Sequence, residues 1–116
     1  MAIPHAKPGE LIDFAPLGSQ LTSKLSTTLV KTNSLEVLRL VLPAGKTIPP
    51  HSVPGEITVQ SLEGRVIFTV GGIEHELMPG KFLYLAGNEK HALQAIDDSS
   101  LLVTILLPVK SPPTTE

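Results

Sequence analysis

Between Thr27 and Leu107 the hydrophobic positions fall into short runs: "TTLVKT", "LEVLRLVL", "EITVQSLEG", "RVIFTV", "IEHEL", "KFLYL", "HALQAI" and "LLVTILL". The runs are rich in leucine and β-branched residues, and several alternate apolar with polar side chains, which is the period of a strand. Asn33-Ser34, the "PAG" of residues 43–45, Gly71-Gly72, Pro79-Gly80, Gly87-Asn88 and Asp97-Asp98 separate them. Turn residues at that regular spacing predict hairpins, about eight strands in all, and hence an all-β sandwich or barrel. His51, after Pro49-Pro50, reads as a loop residue ahead of a strand.

Two runs, "VIFTV" and "LLVTILL", are apolar on both faces, which a half-solvated sheet does not require. A second surface has to cover them. Either a partner subunit does so or the N-terminal segment folds across, and in so small a chain a homodimer is the expectation. Upstream, Pro4, Pro8 and Gly9 hold the first dozen residues extended, and Leu17, Leu21 and Leu25 at helical spacing predict one short helix. The tail "PVKSPPTTE" has three prolines and no apolar period, so it is expected to be flexible. The chain thus reads as a single domain, residues 1–116, with an arm (1–26), a core (27–107) and a tail (108–116).

Composition narrows the function classes. With 41% hydrophobic and 17% charged residues the chain can bury a proper core. A net charge of −2 and only one Tyr, three Phe and no Trp supply neither a basic footprint nor stacking platforms, so nucleic acid is not an expected partner. The absence of cysteine excludes disulfides, thiolate nucleophiles and Cys-type zinc sites, and suits a reducing cytoplasm. "MAIPHAKPGE" carries no basic segment followed by an apolar stretch, and "LRLVL" is far too short to span a bilayer, so the expectation is a cytoplasmic protein with no membrane partner.

The candidate chemistry rests on four histidines, His5, His51, His75 and His91. His51 and His91 adjoin turns at strand starts, where a β scaffold usually meets ligands. Either ring can also serve as a rim residue that hydrogen-bonds a backbone carbonyl. His75, within "IEHEL", reads as a structural strand residue, and His5 as a solvated one. Asp97-Asp98 is a turn, because the alternating acidic ligands of a calcium loop are missing. Gly71-Gly72 is a hairpin, because no helix follows to cradle a phosphate.

Gly45, His51, Pro54-Gly55-Glu56 and Gly64 together resemble the first cupin motif, and "GKFLYLAGNEKHALQA" resembles the second. The chain is similar to small, single-domain, RmlC-like bacterial cupins in which "PGEITVQ" stands in place of the full first motif. That resemblance implies a jelly-roll β-barrel whose mouth holds one divalent metal, bound by two histidines and a glutamate from the first motif and a histidine from the second. Such donors suit iron, zinc, nickel or manganese. His51 matches the first histidine and His91 the second-motif histidine. Val53 stands where the other histidine belongs and Ile57 where the glutamate belongs, while Ala86, Asn88 and Ala95 depart from the second motif. Asn88 can still turn the chain, because Asn tolerates a left-handed conformation.

Glu56 precedes the glutamate position by one residue, and strand alternation sends neighbours to opposite faces. A bulge at Gly55 would turn it inward and complete a set of His51, His91 and Glu56. Two readings follow from the resemblance. In one, the barrel mouth, lined by Val53, Ile57, Gln60 and Phe82, binds a small molecule with or without a reduced metal site. In the other, the metal makes the chain an enzyme of dioxygenase or isomerase type.

Overall fold

A computed structural model describes residues 5–108, and all but the first residue of the tail lie outside it. Among these residues nine strands form two antiparallel sheets: β1 (Thr27–Lys31), β2 (Leu35–Leu42), β3 (Thr47–His51), β4 (Ile57–Glu63), β5 (Val66–Val70), β6 (Ile73–Leu77), β7 (Phe82–Leu85), β8 (His91–Ala95) and β9 (Ser99–Leu106). The five-stranded sheet runs β1-β2-β9-β4-β7 and the four-stranded sheet β3-β8-β5-β6, and the two face each other as a jelly roll.

Alternation decides what lies between the sheets. Ile57 and Val59 on β4, Val66 and Phe68 on β5, Leu93 and Ala95 on β8, and Leu101 and Val103 on β9 point inward and are buried, with Leu42, Leu77 and Leu85 completing the core. A fully buried side chain of this kind contributes about 1.5–3 kcal/mol, so aliphatic packing holds the two sheets together.

The strand missing from the sequence expectation is β3, "TIPPH". Proline cannot donate to a ladder, which argues against a central strand but not against an edge. β3 is an edge strand, and an irregularity between Ile48 and His51 leaves Pro49 and Pro50 without partners in the register.

The expected helix is a 3-10 helix, Gly18–Ser23, and only one of its three marker leucines anchors it: Leu21 is buried, whereas Leu25 is 84% exposed. The segment lies across the outer face of the five-stranded sheet. Ala15 carbonyl accepts a 2.8 Å bond from Arg39 Nη2, and Leu17 and Gly18 N–H donate to the two carboxylate oxygens of Glu63 at 2.9 and 3.0 Å. The N-terminal segment therefore covers part of that outer face within one chain. No helix among the described residues is long and apolar enough to cross a membrane.

Candidate functional site

Two loops carry the motif positions, and they clasp one another. Asn88 has φ 63°, the left-handed conformation expected of it, and its N–H donates to Val53 carbonyl at 2.7 Å. Gly87 packs so closely that a Cβ there would overlap Pro54 carbonyl. The β3–β4 and β7–β8 loops are thus fastened together at the end of the barrel where β3 finishes and β8 begins.

That fastening brings His51 and His91 into one register pair, with ring centroids 4.3 Å apart and planes tilted by 59°. His91 is buried and lies parallel to Phe68 at 5.6 Å, whereas His51 is exposed. The pair marks the boundary between core and solvent. Each Nδ1 meets a carbonyl of its own strand approach: His51 that of Pro49 at 3.1 Å, His91 that of Glu89 at 2.9 Å. A carbonyl can only accept, so both rings carry the proton on Nδ1, and in the neutral form each Nε2 keeps a lone pair. A hollow of about 170 Å³ opens beside His91, walled in part by Pro50, Thr69, Gly71-Gly72 and Lys90.

The remaining candidates divide between two faces. Val53 packs against the core and Ile57 is buried in it, on the inner side. Gln60 and Phe82 pair across β4 and β7 on the outer face of the five-stranded sheet, and Phe82 is 67% exposed, so neither lines the mouth. The phase set by Ile57 and Val59 accounts for this, because Gln60 is an odd number of residues from both.

Glu56 also points outward and accepts a hydrogen bond from Tyr84 hydroxyl, a bond that raises the tyrosine's pKa above its ordinary value. Gly55 does not form the bulge that would turn Glu56 inward. It lets β9 approach: a Cβ at Gly55 would overlap Leu106 carbonyl, and Leu106 N–H donates to Glu56 carbonyl at 2.9 Å. Among the described residues no three His, Cys, Asp or Glu side chains gather closely enough to hold a metal ion. Of the three expected donors, His51 and His91 stand together and Glu56 stands apart on the outer face. His75 stands opposite Phe68 on the edge strand β6, exposed, and His5 lies in the arm. Phe68, the stacking partner of His91, went unnoticed in the sequence, where only the inward phase of "VIFTV" hinted at it.

The cupin domain profile matches residues 38–107. No curated protein matches the chain. Among solved structures, a conserved protein of unknown function from Streptococcus pyogenes is 24% identical with TM-score 0.72, over 93% of this chain and 96% of the other. A cupin superfamily protein from Desulfitobacterium hafniense is 17% identical with TM-score 0.73, over 89% and 100%. The DMSP lyase DddQ from Ruegeria pomeroyi is 22% identical with TM-score 0.67, over 85% and 55%. At these identities the likeness establishes the fold alone.

Proposed function

Because the chain belongs to the cupin family, we propose that it binds a small molecule at the barrel mouth, met there by the Nε2 lone pairs of His51 and His91. The observation that carries this reading is the pairing of the rings at 4.3 Å with both Nδ1 atoms turned back onto carbonyls. The carbonyl bonds that make each ring a rim residue also fix the tautomer that leaves it able to bind. Val53 and Ile57, where donors would stand in a full motif, are apolar and belong to the core side, which favours a ligand of mixed character over a fully polar one.

A specific observation favours a second form of the same reading. Metal-ligating imidazoles usually donate their other nitrogen to a carbonyl or carboxylate, as both rings do here. A divalent ion held by the two Nε2 atoms would supply a Lewis acid toward a ligand oxygen. The chain would contribute two nitrogens to it, with Glu56 turned away on Tyr84. With no third donor beside them among the described residues, that sparse set supports a binding role ahead of an enzyme of dioxygenase or isomerase type. The reading includes a homodimer formed on the outer face that carries the exposed Phe82, Tyr84 and Leu106, for which light scattering should return the mass of two chains.

Elemental analysis of untagged protein after reconstitution, beside a His51→Ala, His91→Ala variant, tests the metal form. Iron, zinc, nickel or manganese near one per chain in the wild type, and absent from the variant, is the expected result. Metal that persists in the variant would place it elsewhere, and none in either would leave only direct hydrogen bonding by the two rings.

A further inference from the structure

A second hollow lies on the outer side of β1 and β2 beneath the N-terminal arm, shares no lining residue with the one beside His91, and has a volume of about 640 Å³. That is within the range of roughly 300–1,000 Å³ common for small-molecule sites. Its lining is mixed, with charged side chains beside Leu11, Leu25 and Leu29, and Leu11 and Leu25 are almost fully exposed. Such leucines at the lip of a hollow leave apolar surface for something to cover.

One charged side chain of this wall is buried. Arg39 is 9% exposed and lines the hollow, yet its Nε has no hydrogen-bond partner among the described residues. Of five guanidinium N–H donors, Nη2 serves Ala15 carbonyl. Glu63 is near enough to feel the charge but makes no ion pair with it among the described residues, its oxygens being taken by Leu17, Gly18 and Ser100. A buried guanidinium without a matched anion is costly, and it becomes favourable when a carboxylate meets it. The other lining charges do not supply one. Neither Glu10 nor Asp13 makes an ion pair with Arg39 among the described residues, and the ammonium of Lys24 has none there either.

We propose that this hollow is a second ligand site, separate from the barrel mouth, which takes a monocarboxylic acid with an apolar tail: the carboxylate on Arg39, the tail along Leu25 and Leu29, and Lys24 at the rim. Among the described residues Arg39 is the one buried cation of the lining, with Leu25 and Leu29 also among its residues, and the carboxylates of Glu10 and Asp13 at the same hollow disfavour a doubly charged phosphate more than a single carboxylate on an oily body.

Octanoate is the probe, with octan-1-ol sharing its tail and acetate its head, each titrated into the wild-type chain by calorimetry and followed on the Leu25 and Leu29 methyl signals by NMR. Octanoate should bind saturably, with octan-1-ol and acetate each at least about tenfold weaker, the scale of a charge-assisted hydrogen bond. Arg39→Gln, which keeps an amide donor for Ala15 carbonyl, should weaken octanoate about tenfold and leave octan-1-ol unchanged. The His51→Ala, His91→Ala variant should bind octanoate as the wild type does, which separates this site from the mouth. Equal affinity for octanoate and octan-1-ol in the wild type would overturn the proposal, and that comparison stands even if Arg39→Gln does not fold. So would octanoate binding that is undiminished in a folded Arg39→Gln chain or disappears in the histidine variant.

Discussion

Two polar clusters lie at opposite ends of the strands and on opposite faces of the sheets, and they differ in what they leave unsatisfied. At one end, Glu63 sits under the arm with its carboxylate bonded by Leu17 N–H, Gly18 N–H and Ser100 hydroxyl. At the mouth, His51 and His91 each spend one nitrogen on a carbonyl and keep the other. A group whose hydrogen-bonding capacity is used up within the chain holds the fold together. A group with capacity to spare, placed beside its like at the rim of a core, is available to something outside the chain. Glu63 is accordingly read as structural and the histidine pair as functional.

The arm is where that contrast breaks most severely. Leu21→Ala removes the leucine that anchors the 3-10 helix and should cost about 2–4 kcal/mol, read from denaturant unfolding. It should leave the mouth unaffected. Glu63→Gln comes next, at about 1–2 kcal/mol, because the amide cannot accept from all three donors. Its pH dependence gives a sharper signature. Burial acts to raise the Glu63 pKa, but the bonds from Ser100, Leu17 and Gly18 and the charge of Arg39 outweigh it and hold the carboxyl below the usual range. A depressed folded-state pKa gives stability that is complete above the carboxylate's unfolded value and is lost as pH falls through the folded one. Thermal unfolding from neutral pH into the acid range should show this loss in the wild type and a shallower slope in Glu63→Gln.

At the mouth the two histidines should separate stability from binding. His91→Ala should cost about 1–3 kcal/mol, because it vacates a buried place against Phe68, and His51→Ala, at an exposed position, no more than about 0.5 kcal/mol. Both should abolish ligand or metal capture to the same degree. Equal stability costs would contradict the placement of the two rings. The smallest effect belongs to Glu56→Gln: within about 0.5 kcal/mol on stability and none on metal content, since its carboxylate is engaged with Tyr84 outside the barrel. A metal content that falls in this variant would show that Glu56 turns inward.

Much of this architecture is legible in the chain itself. The leucine and valine runs mark eight of the nine strands among the described residues, the turn at Asn88 follows from its residue type, and the pairing of His51 with His91 is what the resemblance to the cupin motifs implies. β3 is hidden because its prolines are compatible with pairing only at an edge, and edges are set by sheet order, not by local sequence. Glu56, Gln60 and Phe82 show the strength of phase: counted from Ile57, the first two face outward, and Phe82 follows Gln60 across the register. What Gly55 does depends on Leu106, about fifty residues away, and the environments of Glu63 and Arg39 depend on where the arm comes down. None of these has a local signature.

The central claim is that His51 and His91 form one site through two unused Nε2 atoms, and long-range proton–nitrogen NMR of the imidazoles, before and after one equivalent of Zn²⁺, tests it most directly. Both rings should be Nδ1–H tautomers when neutral, and zinc should shift the two Nε2 signals in parallel while those of His5 and His75 stay in place. An Nε2–H tautomer at either ring, or zinc shifts at one of the pair without the other, would contradict it.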